Sequence, residues 1–551
     1  MKKINCFFNF SKAGFAWTIS VGLLMVVQAN AFSYSTDKKT EDKKKEDRIY
    51  LVHADSLMFD QYQHPDAQRL SGKVQFRHEG MVFDCDSAVL YEKTESFEAF
   101  GHVKVVQGDT LSLIGKYLYY DGNAKLLQVR EGVEMRHRDQ VLYTDSLNYD
   151  RMFSLGYYFE GGKLVDGQNV LTSDWGEYYT STRKSTFNYN VRLENPKFDL
   201  TSDTLHYDVA TKWTKIVGPS NIVSGKSRIY TELGYYNSGT EESKLYNRSV
   251  VYNDGTRMTG DSIFYNKLTG IVRAYSNIEY EDVKNKNMMT GNYCWYDELK
   301  GEALAYDSAL VKDYSSPQDT LFVHADTLRM YSYHIDTDSV YRVLHGYFHV
   351  RAYRTDVQAV CDSLVANSRE RKMTLYRDPI VWSGSRQILG EEINVFSNDS
   401  TIDSVYVQRQ ALMVEQVDST HFNQVAGQLM RSFFKNGEIK ENRVDGNVYV
   451  VQFPMEKDSV LLYQNYTETT QLRMFMENRK LKRLWAPAAT GSFYPIGMAP
   501  ADRTRLENFA WFDYIRPLNK QDVFVWRGKA KGTELKPIIR REAPLQQLKK
   551  K

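Results

Sequence analysis

Asp145, Asp174, Asp203 and Asp261 fall on multiples of 29 residues, and Asp55 and Asp326 sit in two copies of one motif. A column of carboxylates could bind calcium. His53 and His324, each two residues before an aspartate, could serve as general bases or metal ligands. The pattern argues against both chemistries. Calcium-binding repeats of this kind pair their acids with dense glycine in a nonapeptide period, whereas here one acid comes per 29 residues and some units carry Lys116 or Asn292 instead. The acids therefore read as strand-start or turn residues. The two histidines, at the same place in both copies, read as structural. The chain has no G-x-S-x-G elbow, no H-E-x-x-H and no glycine-rich phosphate loop. We expect no enzyme, no cofactor and no metal.

The elements that carry these residues are strands. Tyr91, Tyr120, Tyr149, Tyr178, Tyr207, Tyr236 and Tyr265 follow one another at intervals of 29. Two residues before each stand Val89, Leu118, Leu147, Gly176, Leu205, Gly234 and Ile263. Alternation at i, i+2 and i+4 puts side chains on one face of a strand. About midway between the tyrosines runs a second motif of glycine and alternating valine, as in Gly72-Lys73-Val74, Gly101-His102-Val103-Lys104-Val105 and Gly132-Val133. Each unit thus holds two or three short strands. A fixed period of this size means a repeat architecture whose units bury their apolar faces by stacking. With one ~4.8 Å rung per unit, a dozen units would make a rod of ~60 Å.

A larger duplication overlies the small one. Tyr50-Leu51-Val52-His53-Ala54-Asp55-Ser56-Leu57 matches Leu321-Phe322-Val323-His324-Ala325-Asp326-Thr327-Leu328, and Cys85-Asp86-Ser87 matches Cys361-Asp362-Ser363. We expect one stack over 48–316, a second over 317–455 with its seam at Ser315-Ser316-Pro317, and an irregular cap over 456–551 with a basic tail at its end. The aromatics of that cap include Trp485, Phe493, Tyr494, Phe509, Trp511, Phe512 and Tyr514. Covering the end of the rod is their expected role, as solenoids require, with docking of a partner the alternative.

Residues 1–31 read as a secretory signal peptide: Lys2, Lys3 and Lys12, an apolar stretch over 13–27, then Ala29-Asn30-Ala31. Residues 32–47 read as a charged linker. Removing 1–31 takes away three lysines and no acids, which leaves the charges balanced to within one. A near-neutral chain has no electrostatic case for nucleic acid. Cys85, Cys294 and Cys361 remain, an odd number that excludes a full disulfide framework. They read as buried thiols in an exported protein.

The stack must bury or face a continuous aliphatic strip, with Leu118, Leu147, Leu205 and Ile263 in one column and Val74, Val103, Val105 and Val133 in another. If the two sides close, the strip is only a core. If they splay, it is an apolar trough.

Signal peptide, Gly-x-Val strands and strands such as Thr144-Asp145-Ser146-Leu147-Asn148-Tyr149, Thr259-Gly260-Asp261-Ser262-Ile263-Phe264-Tyr265 and Asp445-Gly446-Asn447-Val448 together resemble the OstA-like family of organic-solvent-tolerance and lipopolysaccharide-transport proteins. The resemblance covers about 50–455. It implies an all-β, V-shaped jellyroll or solenoid, here two tandem domains plus a small C-terminal module. It also implies a periplasmic carrier whose interior shields lipopolysaccharide acyl chains, with the eight residues above as groove lining. The partners it implies are lipopolysaccharide and other transport proteins stacked end to end through edge strands, and it admits an outer-membrane partner. The alternative is an envelope scaffold with a closed core that binds no lipid.

Overall fold

A computed structural model describes residues 48–530 and 533, apart from 254, 316–318, 336, 338, 399–400, 436–437, 455–460 and 478–479. The expected signal peptide, linker, part of the seam and the basic tail lie outside the described residues. From Tyr50 to Pro495 the backbone runs up and down in antiparallel strands, nearly all of the described chain. The all-β repeat read from the sequence is the fold.

Each long strand belongs to two sheets. Met81–Tyr91, Ser96–Gln107, Leu111–Asp121 and Leu126–His137 pair in succession. Every ladder slips once, between Asp84 and Ser87, Phe100 and Val103, or Ile114 and Tyr117. At that slip the chain turns a corner. Residues 81–85, 103–107 and 111–114 lie in the first sheet, and 87–91, 96–100 and 117–121 in the second. The corner is made by two successive residues in the left-handed region: Gly72 and Lys73, Gly101 and His102, Glu131 and Gly132, Tyr189 and Asn190, Ser276 and Asn277, Arg409 and Gln410. Glycine and asparagine tolerate this conformation best, which explains the Gly-x-Val motif. Such a two-residue bulge bends its strand and resets which side chains face inward. In Met81–Tyr91 the buried positions are Met81, Phe83 and Cys85, then Ala88 and Leu90.

The acid column holds this corner together. His102 Nδ1 lies 2.7 Å from Asp86 Oδ2, the Gly132 amide donates to Asp145 at 3.2 Å, and Asn190 donates to Asp174 at 2.6 Å. Asn277 does the same to Asp261 at 2.8 Å, and His349 lies 2.7 Å from Asp326. The aspartates are corner clasps, in line with the turn role read from the sequence. Among the described residues no three or more His, Cys, Asp or Glu side chains are grouped to hold a metal ion.

Each 29-residue unit adds two strands to each sheet, not one rung, so the stack sums to roughly twice the ~60 Å expected, on the order of 120 Å. The ladders continue on both sides of the expected seam, where Leu310–Asp313 pairs with Leu321–His324. Beyond 460 the strands Tyr463–Glu477, Lys480–Trp485 and Thr490–Pro495 extend the same sheets. Residues 496–530 then cross the outer face of the first sheet as a strap.

A row of buried glutamines pins the strap. Gln387 donates to the Ala510 carbonyl at 3.0 Å and accepts the Phe512 amide at 2.8 Å. Gln424 treats Thr504 and Leu506 the same way, at 3.1 and 2.9 Å. Leu506, Phe512 and Ile515 pack there against Trp382, Leu412 and Val414. The tail aromatics divide accordingly: Phe512 is buried in the strap, with Phe509 and Trp511 packed beside it, while Trp485 and Phe493 are exposed on the last strands.

Candidate functional site

The two sheets meet at the corner and face each other across an interior whose far side is a mouth, edged by the hairpin turns of both sheets. What happens at that mouth decides whether the interior is core or trough.

From Phe76 to Lys212 the mouth is shut. Phe76 and Phe83 from the first sheet interlock with Phe97 and Tyr120 from the second, with ring centroids 4.3 to 5.4 Å apart. The tyrosine ladder then reaches across. Tyr120 Oη lies 2.7 Å from His78 Nδ1, Tyr178 Oη lies 2.7 Å from His137 Nδ1, and Tyr207 donates to Asp166 at 2.5 Å. In each case the tyrosine ends a strand of the second sheet and its partner edges a turn of the first. Ion pairs add to the closure: Glu79 with Lys125 at 2.8 Å and Arg151 at 2.6 Å, and Asp166 with Lys212 at 2.5 Å. Burial raises the Tyr178 hydroxyl pKa to about 12, so it stays protonated. Burial alone would raise the Asp166 pKa, but hydrogen bonds from Lys212, Tyr207 and Gln140 outweigh it and hold the carboxyl below its usual range.

All eight residues singled out from the sequence lie in the interior. Leu118, Leu147 and Leu205 are fully buried, and Val74, Val103, Val105 and Val133 are 1% exposed, all in one continuous core. Ile263 is 2% exposed in a smaller neighbouring core.

In the C-terminal half the interior changes character. Next to the corner it remains buried, at Val350, Cys361, Leu364 and Ile393. One step toward the mouth, Ala352, Ala359, Val381, Ile388 and Met413 of the first sheet are only partly buried, as are Leu344, Ala366, Met373, Val395 and Val405 of the second. Two facing aliphatic strips are thus partly accessible.

The signal for this was present in the larger duplication. Aligning Cys85 with Cys361 and Val74 with Val350 places Ala352 where Phe76 stands and Ala359 where Phe83 stands, and both phenylalanines are nearly or fully buried. The same alignment puts Ala366 at the place of Leu90. Three large plugs of the closed half are alanines in the open one.

The other chemistry-bearing residues lie apart from this interior mouth and from one another. His324 is buried with Nδ1 2.7 Å from the Ala309 carbonyl, and burial together with Arg351 lowers its pKa. His53 is exposed, 3.1 Å from Asp55. The three cysteines are free and buried, and burial pushes the Cys85 and Cys294 thiols up to about 12.

Residues 46–203 match the family model described as OstA-like protein, the family read from the sequence. That family is associated with lipopolysaccharide transport and organic-solvent tolerance. No curated protein matches the chain. The matched stretch lies in the closed half, and the open half lies beyond it.

Proposed function

We propose that the protein is a non-enzymatic periplasmic carrier that shields lipopolysaccharide acyl chains on their way to the outer membrane, and that it holds them between the open sheets of its C-terminal half. The observation that carries this reading is the pair of facing, partly accessible aliphatic strips around Ala359 and Val395. Burying a methylene is worth ~0.8 kcal/mol, so a 14-carbon acyl chain gains ~10 kcal/mol gross, about what it loses on leaving a bilayer. Such a trough shelters lipid in transit and leaves extraction to an energy source elsewhere.

The closed half then serves as a rigid arm. Edge strands at both ends suit end-to-end pairing with other transport proteins. Tyr50–His53 and Ser56–Asp60 expose Leu57, Met58 and Phe59, and the last strands expose Leu484 and Phe493.

The test copies the closed half into the open one. Ala352→Phe with Ala359→Phe restores the plugs that Phe76 and Phe83 provide. We expect the purified double variant to keep its melting temperature and lose binding of a fluorescent lipid A probe. Equal binding by the variant and the parent would reject the trough, and no binding by either would favour the closed scaffold.

A further inference from the structure

On the outer face of the second sheet, away from the interior, the rung next to the corner carries a row of tyrosines. Tyr246 and Tyr275 both lie opposite Ser262; Tyr275 pairs with Tyr293, and Tyr293 with Tyr306. The row continues through Thr327 to Tyr347, then through Ser363 to Tyr376. Phe264 fills the gap between Tyr246 and Tyr275. Neighbouring rings from Tyr246 to Tyr306 stand 4.5 to 5.8 Å apart. Tyr275 is 37% and Tyr306 42% exposed.

The row runs into an open concavity of about 930 Å³, walled by Tyr347, Phe348 and Tyr376 and floored by Ser363 and Val365. Its rim is charged but internally matched. Arg409 lies 3.1 Å from Glu391 and 3.8 Å from Glu392, Arg377 lies 3.4 Å from Asp362, and Lys529 lies 3.6 Å from Asp378.

We propose that this row and its terminal pocket bind an extended saccharide chain. The rings pack edge-to-face or stacked on one another, so the row presents a ridge of ring edges and hydroxyls with Tyr275 and Tyr306 standing partly exposed, at the ~4.8 Å strand spacing, for the C–H faces and hydroxyls of successive sugar rings. A rim of paired carboxylates and guanidinium groups presents many donors and acceptors with little net charge, which suits neutral hydroxyls. The two arginines that line the pocket, Arg377 and Arg409, are already paired with carboxylates, which disfavours a phosphate or nucleic acid there. A peptide adding as a strand needs a free edge, and this row lies in mid-sheet with its ladders paired on both sides. The concavity falls within the ordinary size range of ligand sites.

The full chain is run in native gels cast with hydroxyethylcellulose, with laminarin, or with lipid-free core and O-polysaccharide. Retardation in at least one gel is expected. In that gel Tyr275→Ala, Tyr306→Ala and Tyr347→Ala should each weaken binding about threefold to tenfold. Tyr306→Phe, which keeps the ring, should bind as the parent does. Tyr143→Ala, an equally exposed tyrosine off the row, should also be unchanged. Retardation in none of the gels, or retardation that ignores the row variants, would overturn the proposal. The choice between glucan and lipopolysaccharide sugar is read from which gel retards the chain.

Discussion

Tyr207 and Asp166 lie 41 residues apart and share a 2.5 Å hydrogen bond across the mouth between the two sheets. Tyr120 with His78 and Tyr178 with His137 repeat the relationship at 42 and 41 residues. Three of the seven ladder tyrosines thus zip the mouth, whereas Tyr91 and Tyr265 bond Glu98 and Glu298 instead. Asp166, 4% exposed, also pairs with Lys212. Tyr207→Phe should cost about 1–2 kcal/mol and Asp166→Asn about 2–3 kcal/mol in urea unfolding. Values near zero would mean the mouth is held by the apolar core alone.

The zipper should respond to acid in two steps. Burial, with Arg138 and Arg183 adding, holds His137 below the ordinary imidazole value of 6.5. A depressed pKa means its contribution is complete above about pH 6.5 and declines as pH falls through its folded value. Asp166, held below the usual 3.8, contributes fully above about pH 4 and loses that contribution as pH falls through its depressed value. Melting temperature should hold steady from pH 8 to 7, fall gently below pH 6.5 and steeply below pH 4. His137→Gln should lessen the first decline, the remainder coming from His206, His324 and His345, which burial also lowers, and an unchanged profile would assign the whole decline to them.

The corners make a separate prediction. Gly101 has φ +72°, and a Cβ there would come within 2.4 Å of Asp86 Oδ2. Gly101→Ala should destabilise by about 2 kcal/mol or more. Gly108→Ala, in a turn with φ +60° and open space around it, should cost about 1 kcal/mol. Equal losses at the two positions would show that the clasp adds nothing to backbone conformation.

The strap can be released without touching the interior. Gln387→Leu leaves the Ala510 carbonyl and the Phe512 amide without their side-chain partner, at a cost of about 1–3 kcal/mol. Limited proteolysis should then cut within 496–530 while the sheets stay protected. Parent-like resistance would show that Leu506, Phe512 and Ile515 hold the strap by packing alone.

Strand content, the 29-residue period and the inward aliphatic columns were legible in the sequence because alternation and repetition are local. The corner was legible only as its glycines. The left-handed pair at Glu131-Gly132 or Tyr189-Asn190 leaves no fixed residue type, and it shifts the alternation that a period-two reading assumes. The zipper was hidden because its partners lie in different units on opposite sheets, so that His78, His137 and Asp166 share a role without sharing a motif. The open half was recorded in the duplication, in Ala352 and Ala359 standing where the first copy has Phe76 and Phe83, but its meaning depends on which residues meet across the interior.

On the proposed function, acyl chains lie between the sheets of the C-terminal half and not of the N-terminal half. A small diazirine-bearing residue at Ile388 and, separately, at Leu147 tests it most directly, by irradiation in cells and detection of lipopolysaccharide adducts. Adducts are expected from Ile388 and none from Leu147. Adducts from Leu147 alone, or from neither site in folded and exported protein, would contradict it.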